Sequence, residues 1–270
     1  MSLWRSFAWL IICVVLFGTM PVLAQTNPTV AACGLPAGGV IRQSVTYTMT
    51  ADCELTSTLR IANKDPAITV SINGGGHTIT GGNHDFIRGS STVLNLTDVT
   101  IDGENIDHGA GGIYVQSGTL NAKQVTFARG NGRSMMSSSN ASLTNVLLVG
   151  NVFNAPALGG NGSAVHAGPT TIHNWNNVVA RNNFGSGGAI SLGSGATLTT
   201  TGCLTLSGNV PYDVYAPTGT TWTDNSTGSC TGAIGNGDSA EIPAPALMAC
   251  GFPAAGNQDF SSVYTLSADC

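Results

Sequence analysis

The densest set of ionisable side chains in this chain is Asp98, Asp102, Glu104 and Asp107, with Arg129 and Arg133 about one repeat further on. Three chemistries use such residues. Inverting glycoside hydrolysis needs two carboxyls roughly 6.5–9.5 Å apart across the scissile bond. A polysaccharide lyase needs a basic side chain to take the proton alpha to a carboxylate, and Arg88, Arg129, Arg133 and Arg181 are the basic candidates. Clustered hard oxygens bind Ca²⁺, which makes Asp102, Glu104 and Asp107 the candidate metal ligands, with a carbonyl from Asn105. Their spacing matches neither the EF-hand loop nor the nonapeptide calcium repeat, so a solvated acidic turn is the simpler reading. Catalysis here requires Asp98, Asp102, Arg129 and Arg133 to gather on one face. His77, His84, His108, His166 and His173 show no His-x-His or His-x-x-x-His spacing, so no transition-metal site is expected. Gly-x-Ser-x-Gly, Walker A and His-Glu-x-x-His signatures are absent.

What must position these residues is a repeat. Short β-branched runs recur around Val99, Val125, Val146, Val178 and Leu204, at intervals of 26, 21, 32 and 26 residues. An Asn follows each run: Asn105, Asn131, Asn151, Asn182 or Asn183, and Asn209. Gly, Asn and Ser turns separate the runs, and no helical periodicity lies between them. Such a period predicts a stacked solenoid. Alternate side chains of each short strand point inward, and stacking the next coil at roughly 4.8 Å buries a continuous core and pairs the backbone in parallel ladders. Asn suits left-handed corner turns, and aligned Asn side chains hydrogen-bond from coil to coil.

The ends are read from composition and cysteines. Residues 1–24 have the form of a secretory signal peptide: Arg5, an apolar run from Phe7 to Phe17, and Val22-Leu23-Ala24 as cleavage site. The apolar run is too short to span a bilayer, which takes roughly 20 residues. Removing Arg5 leaves 8 Lys and Arg against 14 Asp and Glu, a formal charge of −6. Charged residues are only 9% of the chain, and this balance excludes a basic nucleic-acid surface. Six cysteines remain beyond Cys13, in sequential pairs Cys33/Cys53, Cys203/Cys230 and Cys250/Cys270. In an exported chain they predict disulfides, and nearest-neighbour pairing is favoured because the first and third pairs share a spacing of 20 residues.

A larger repeat overlies the first. Ala32-Cys33-Gly34-Leu35-Pro36-Ala37 returns as Ala249-Cys250-Gly251-Phe252-Pro253-Ala254, and Tyr47-Thr48-Met49-Thr50-Ala51-Asp52-Cys53 as Tyr264-Thr265-Leu266-Ser267-Ala268-Asp269-Cys270. The expected organisation is a short linker over 25–32, a module over 33–232, a Gly/Pro/Ala-rich linker over 233–247, and the start of a second module over 248–270. The sequence then reads as a piece of a longer tandem protein.

Asn95-Leu96-Thr97-Asp98-Val99-Thr100-Ile101-Asp102-Gly103 resembles the strand–turn rhythm of the right-handed parallel β-helix, or pectin-lyase-like, superfamily. Arg181-Asn182-Asn183-Phe184-Gly185-Ser186-Gly187-Gly188-Ala189-Ile190 resembles the Gly-Gly-Ala-Ile repeat of polymorphic outer membrane proteins, with Gly111-Gly112-Ile113 and Gly162-Ser163-Ala164-Val165 as degraded copies. The resemblance implies an all-β, right-handed parallel β-helix with disulfide-stabilised ends, secreted or on the cell surface. The expected role is structural, adhesive or ligand-binding, without catalysis or a required cofactor. Its partner would be an extracellular carbohydrate or surface protein, with no nucleic acid and no membrane span in the mature chain. The superfamily also includes polysaccharide lyases and glycoside hydrolases, so an enzyme acting on acidic polysaccharide is the alternative. The Asn-x-Asp, Asp-Asp, Gly-His-Gly and Arg-Ile-Lys motifs of its galacturonan hydrolases are absent.

Overall fold

A computed structural model describes residues 26–63, 67–81, 84–103, 112–130, 136–153, 163–185, 187–231 and 234–235. Among them are eighteen strands and no helix, wound into a parallel β-solenoid of about six turns. Each coil places short strands on three faces.

The first face stacks β1 (Gly39–Ile41), β4 (Leu59–Ile61), β7 (Ile87–Ser90) and the start of β9 (Ile113–Ala128). It continues through β10 (Met136–Val149), β12 (Val165–Ala167), β15 (Ile190–Leu192) and β17 (Val214–Tyr215). The second face carries β2 (Val45–Thr48), β5 (Thr69–Asn73) and β8 (Val93–Asp102), then the middle of β9 and β10. β13 (Ile172–Arg181), β16 (Thr197–Ser207) and β18 (Thr221–Ser226) complete it. On the third face β3 (Cys53–Leu55) pairs with β6 (Thr78–Gly81), followed by the ends of β8, β9, β10, β13 and β16.

The anchors of the sequence repeat are register partners: Val99 pairs with Val125, Val125 with Val146, Val146 with Val178, and Val178 with Leu204. The intervals of 26, 21, 32 and 26 residues are therefore coil lengths, and their differences are taken up in the turns. Inward columns such as Ile101–Phe127–Leu148–Ala180 are buried along the stack. Each fully buried aliphatic or Phe side chain contributes roughly 1.5–3 kcal/mol. Trp175 is inside, between Leu143 and Thr200 on neighbouring coils.

Two columns of left-handed residues make the corners. Asp98, Gln124, Asn145 and Asn177 turn the chain between the second and third faces at φ of 52°, 55°, 54° and 56°. Arg129, Gly150, Asn182 and Gly208 end the third-face strands in the same conformation. The residue after this second column lies in a buried hydrogen-bonded stack. Asn151 Nδ2 donates to Asn183 Oδ1 and Asn183 Nδ2 to Asn209 Oδ1, each at 2.9 Å. The same amides donate to the carbonyls of Phe127 and Leu148, and Asn209 to that of Ala180.

Asn105 and Asn131 lie outside the described residues. On the two coils before Asn151, the positions in line with it are Gly103 and Gly130. A Cβ on Gly103 would sit 2.7 Å from the Gly130 Cα, so backbones approach there too closely for a side chain. The Gly130 amide instead donates to Asn151 Oδ1 at 2.9 Å.

Both ends are cross-linked. Cys33–Cys53 and Cys203–Cys230 are disulfides; Cys250 and Cys270 lie outside the described residues. After Pro211, β17 and β18 add a further rung. Beyond Cys230 the chain turns back over the outside of the third face. The Cys230 amide donates to Thr205 Oγ1 at 2.8 Å and the Gly235 amide to the Asn145 carbonyl at 3.1 Å. Ile234 and Val179 pack against the buried cluster of Ala128, Leu147 and Val149.

Candidate functional site

Two of the four residues singled out for catalysis meet. Asp102 ends its third-face strand, Arg129 ends the next, and the coil stacking brings them together. Arg129 Nε donates to Asp102 Oδ1 at 2.9 Å, and its Nη2 donates to Oδ2 in a second, short bond. This bidentate fork holds a carboxylate that is only 8% exposed. Asp98 lies at the opposite end of the same strand segment, in the corner column. Four strand positions, roughly 13 Å along the backbone, separate it from Asp102, more than the spacing of an inverting carboxyl pair. Arg133, Glu104 and Asp107 lie outside the described residues. Among the described residues no three His, Cys, Asp or Glu side chains gather as metal ligands.

The structure assembles a different group on the outside of the first face. The second residue of β1, β4, β7 and β9 points outward, and register aligns Val40, Arg60, Arg88 and Tyr114 on successive rungs. Arg60 and Arg88 are exposed and one strand spacing apart, about 4.8 Å. The Arg88 guanidinium carbon stands 5.0 Å from the centre of the Tyr114 ring, a cation–π contact that holds its plane. Asp85, whose side chain is largely buried, reaches Arg88 Nη1 at 3.6 Å, so its carboxylate offsets the formal charge of Arg88. Arg60 has no carboxylate partner among the described residues.

Beside Arg60 lies a depression of about 460 Å³, lined by Thr56, Ser57, Thr58, Val40, Gly39 and His84. The His84 Nε2 is buried without a hydrogen-bond partner among the described residues. Hydroxyls, an imidazole and a guanidinium therefore converge on one concavity, and the arrangement suits a ligand with both hydroxyl and anionic groups. Further along the same outward column, His166 is half-buried between Ser137 and Ser191, and burial holds its imidazole below the ordinary range.

The chain matches no family model, no curated protein and no solved structure.

Sequence reasoning missed this group because β1, β4 and β7 are only three or four residues long. A run of three residues carries too little alternation to stand out as a repeat. The available signal was the recurrence of apolar–Arg–apolar or apolar–Arg–Gly at Leu59-Arg60-Ile61 and Ile87-Arg88-Gly89. Among the described residues no helix is long and apolar enough to cross a membrane.

Proposed function

We propose that this chain is a secreted or cell-surface β-helix module whose role is to present a rigid binding face. In its finer affiliation we place it with the pectin-lyase-like β-helices and the Gly-Gly-Ala-Ile repeats of polymorphic outer membrane proteins, on the motif at 181–190. The observation that carries the binding reading is the aligned Arg60–Arg88–Tyr114 column beside a hydroxyl-lined depression. A solenoid holds the strands that carry such side chains at fixed spacing with little backbone entropy left to lose, which favours binding of an extended partner. Its signal-like 1–24 segment and disulfides fit an oxidising compartment.

The alternative, a lyase or hydrolase acting on acidic polysaccharide, draws on the same positive face. Against it stands the Asp102 carboxylate, which is occupied by Arg129 instead of facing a groove. The deciding experiment incubates purified 25–270 protein with a panel of polyuronates, with and without Ca²⁺. Ultraviolet absorbance of unsaturated ends and the appearance of reducing ends are both followed. No product is expected from either assay. Turnover in either would replace the binding reading with catalysis. Export is checked separately by fractionating cells expressing the full chain, and retention in the cytoplasm would remove the secreted assignment.

A further inference from the structure

The two ends of the solenoid are finished differently. At the N-terminal end the segment before β1 lies across the first rung as a plug. Leu35 and Pro36 are buried, Leu35 within the core cluster, and the inward side chains Ile41, Tyr47, Met49 and Leu55 are at most 4% exposed. The carbonyls of Cys33 and Ala37 accept from the amides of Thr50 and Thr56 at 2.9 and 2.8 Å. Asn27 Oδ1 accepts from the amides of Arg42 and Gln43. A Cβ on Gly34 would lie 2.1 Å from the Thr48 carbonyl oxygen, so only glycine lets the plug come this close.

At the C-terminal end no such plug lies among the described residues. β18 pairs with β16 along one edge and with no described strand along the other, and its residues from Thr221 to Asn225 are exposed. Trp222 continues an inward column after Leu198, yet it is 40% exposed. Leu204, Leu206 and Val214, in the last two rungs, are only partly buried. Asp224, the one charge on β18, accepts from Thr200 Oγ1 and from the Ser226 amide, so its acceptors are spent within the module. An open strand edge beside an uncovered end of the core is a surface for a further segment of backbone.

The chain spells the plug a second time. Leu247-Met248-Ala249-Cys250-Gly251-Phe252-Pro253-Ala254 repeats Val30-Ala31-Ala32-Cys33-Gly34-Leu35-Pro36-Ala37, keeping the cysteine, the glycine and the proline. In the first copy Val30, Ala31 and Ala32 are exposed. The second copy follows a solenoid end in the chain, and there the same trio is Leu, Met and Ala, more apolar where the first copy meets solvent. The connection is long enough. Gly235 is bonded to the Asn145 carbonyl, and the column Thr144–Asn176–Thr201–Asn225 puts the last rung three strand spacings further on, about 14 Å. Residues 236–246 span up to roughly 36–40 Å when extended.

We propose that the C-terminal end of the solenoid, formed by β17 and β18, is the docking surface for residues 247–254 of this same chain. Leu247 and Met248 cover Trp222, a contact of aliphatic and thioether groups with an indole ring, and the start of the second module stacks end to end on the first. This surface is independent of the first-face binding reading, which polyuronate titration tests separately.

Of the four tryptophans, Trp4 and Trp9 fall within residues 1–24, and Trp175 is buried. Acrylamide quenching of purified 25–270 protein therefore reports Trp222, and Trp222→Phe is the control that removes the signal. Wild type is compared with Leu247→Ser/Met248→Ser and with a chain ending at Gly235. Trp222 is expected to be protected in the wild type and to become quenchable in both variants. Amide exchange along β18 is expected to be slower in the wild type by about tenfold or more, as for a docked segment open a tenth of the time or less. The double substitution lies outside the solenoid, so its thermal melt is expected to keep one cooperative transition, and it decides the matter if the shortened chain unfolds. Equal quenching and equal exchange in wild type and variants overturn the docking. Protection that survives the shortening and grows with protein concentration assigns the end to a second copy of the chain and overturns the intramolecular assignment. Protection that survives at every concentration shows that residues up to 235 cover Trp222 themselves, and overturns it equally.

Discussion

At the scale of single residues, the buried amide stack shows how a polar group sits inside an apolar solenoid. Asn183 donates to the Leu148 carbonyl and to Asn209 Oδ1, while its own Oδ1 accepts from the Asn151 amide and Nδ2. Replacing it with Leu keeps the volume but strands donors and acceptors above and below. One or two unsatisfied buried groups cost about 1–3 kcal/mol each, so Asn183→Leu is expected to lower unfolding stability by about 2–4 kcal/mol in a urea titration. A loss under half a kcal/mol would mean that water replaces the amide there. His166 gives a pH-dependent counterpart. Burial depresses its folded-state pKa below the ordinary 6.5, and its register neighbours Ser137 and Ser191 offer no carboxylate to hold a charge. Between the depressed value and 6.5 the unfolded chain binds a proton that the folded chain does not. Stability from this group is therefore whole above about pH 6.5 and declines as pH falls through that value towards the folded-state one. His166→Gln is expected to narrow the difference in Tm between about pH 7.5 and about pH 5.5; an unchanged difference would place the titration elsewhere.

At the scale of elements, the third face explains a run of residues that breaks strand alternation. Val146-Leu147-Leu148-Val149 is apolar at every position. Val146 and Leu148 point inward, while Leu147 and Val149 point outward and are still buried, because the segment after Cys230 crosses over them. A continuous apolar run is the signature of a strand covered on both sides; the sequence carried that signal, but nothing in it said what does the covering. The coil anchors were legible because inward Val and Leu must recur at every rung. The strap was not, because Ile234 and Gly235 reach back to the coil of Asn145 across a sequence distance no periodicity encodes. Cys203–Cys230 fixes where the strap begins. Opening a loop of 27 residues relieves the unfolded chain of a constraint of about 3–4 kcal/mol on the chain-entropy account. The Cys203→Ser/Cys230→Ser double variant is expected to lose stability of that order and to gain proteolytic cleavage near 228–235. Unaltered proteolysis together with unaltered stability would show that the strap is held by Ile234 packing alone.

For the whole molecule, stability is the sum of coils and of the interfaces between them, since each coil touches chiefly its neighbours. What the chain specifies is therefore register, and the count of coils is secondary. Thr144 pairs with Asn176, Val146 with Val178, and Asn145 and Asn177 are both left-handed corner residues joined by a side-chain hydrogen bond at 2.9 Å. Deleting 145–176 removes one coil of 32 residues, the separation of Asn145 and Asn177, and lets Asn177 take the corner while Asn183 takes the place of Asn151 beneath Gly130. Deleting 145–175 instead leaves one extra residue, which turns every following side chain of the strand to the opposite face and moves Val178 out of the core column. The first deletion is expected to give a β-rich circular dichroism spectrum with one cooperative melt, less stable than the full chain because the coil carrying Trp175 is gone. The second is expected to give aggregation or a broad, non-cooperative transition. Equal behaviour of the two would mean that the corners tolerate slippage and that the left-handed column does not set the register. A cooperative melt for the in-register deletion alone would identify that column, with the buried Asn stack, as what holds one coil over the next.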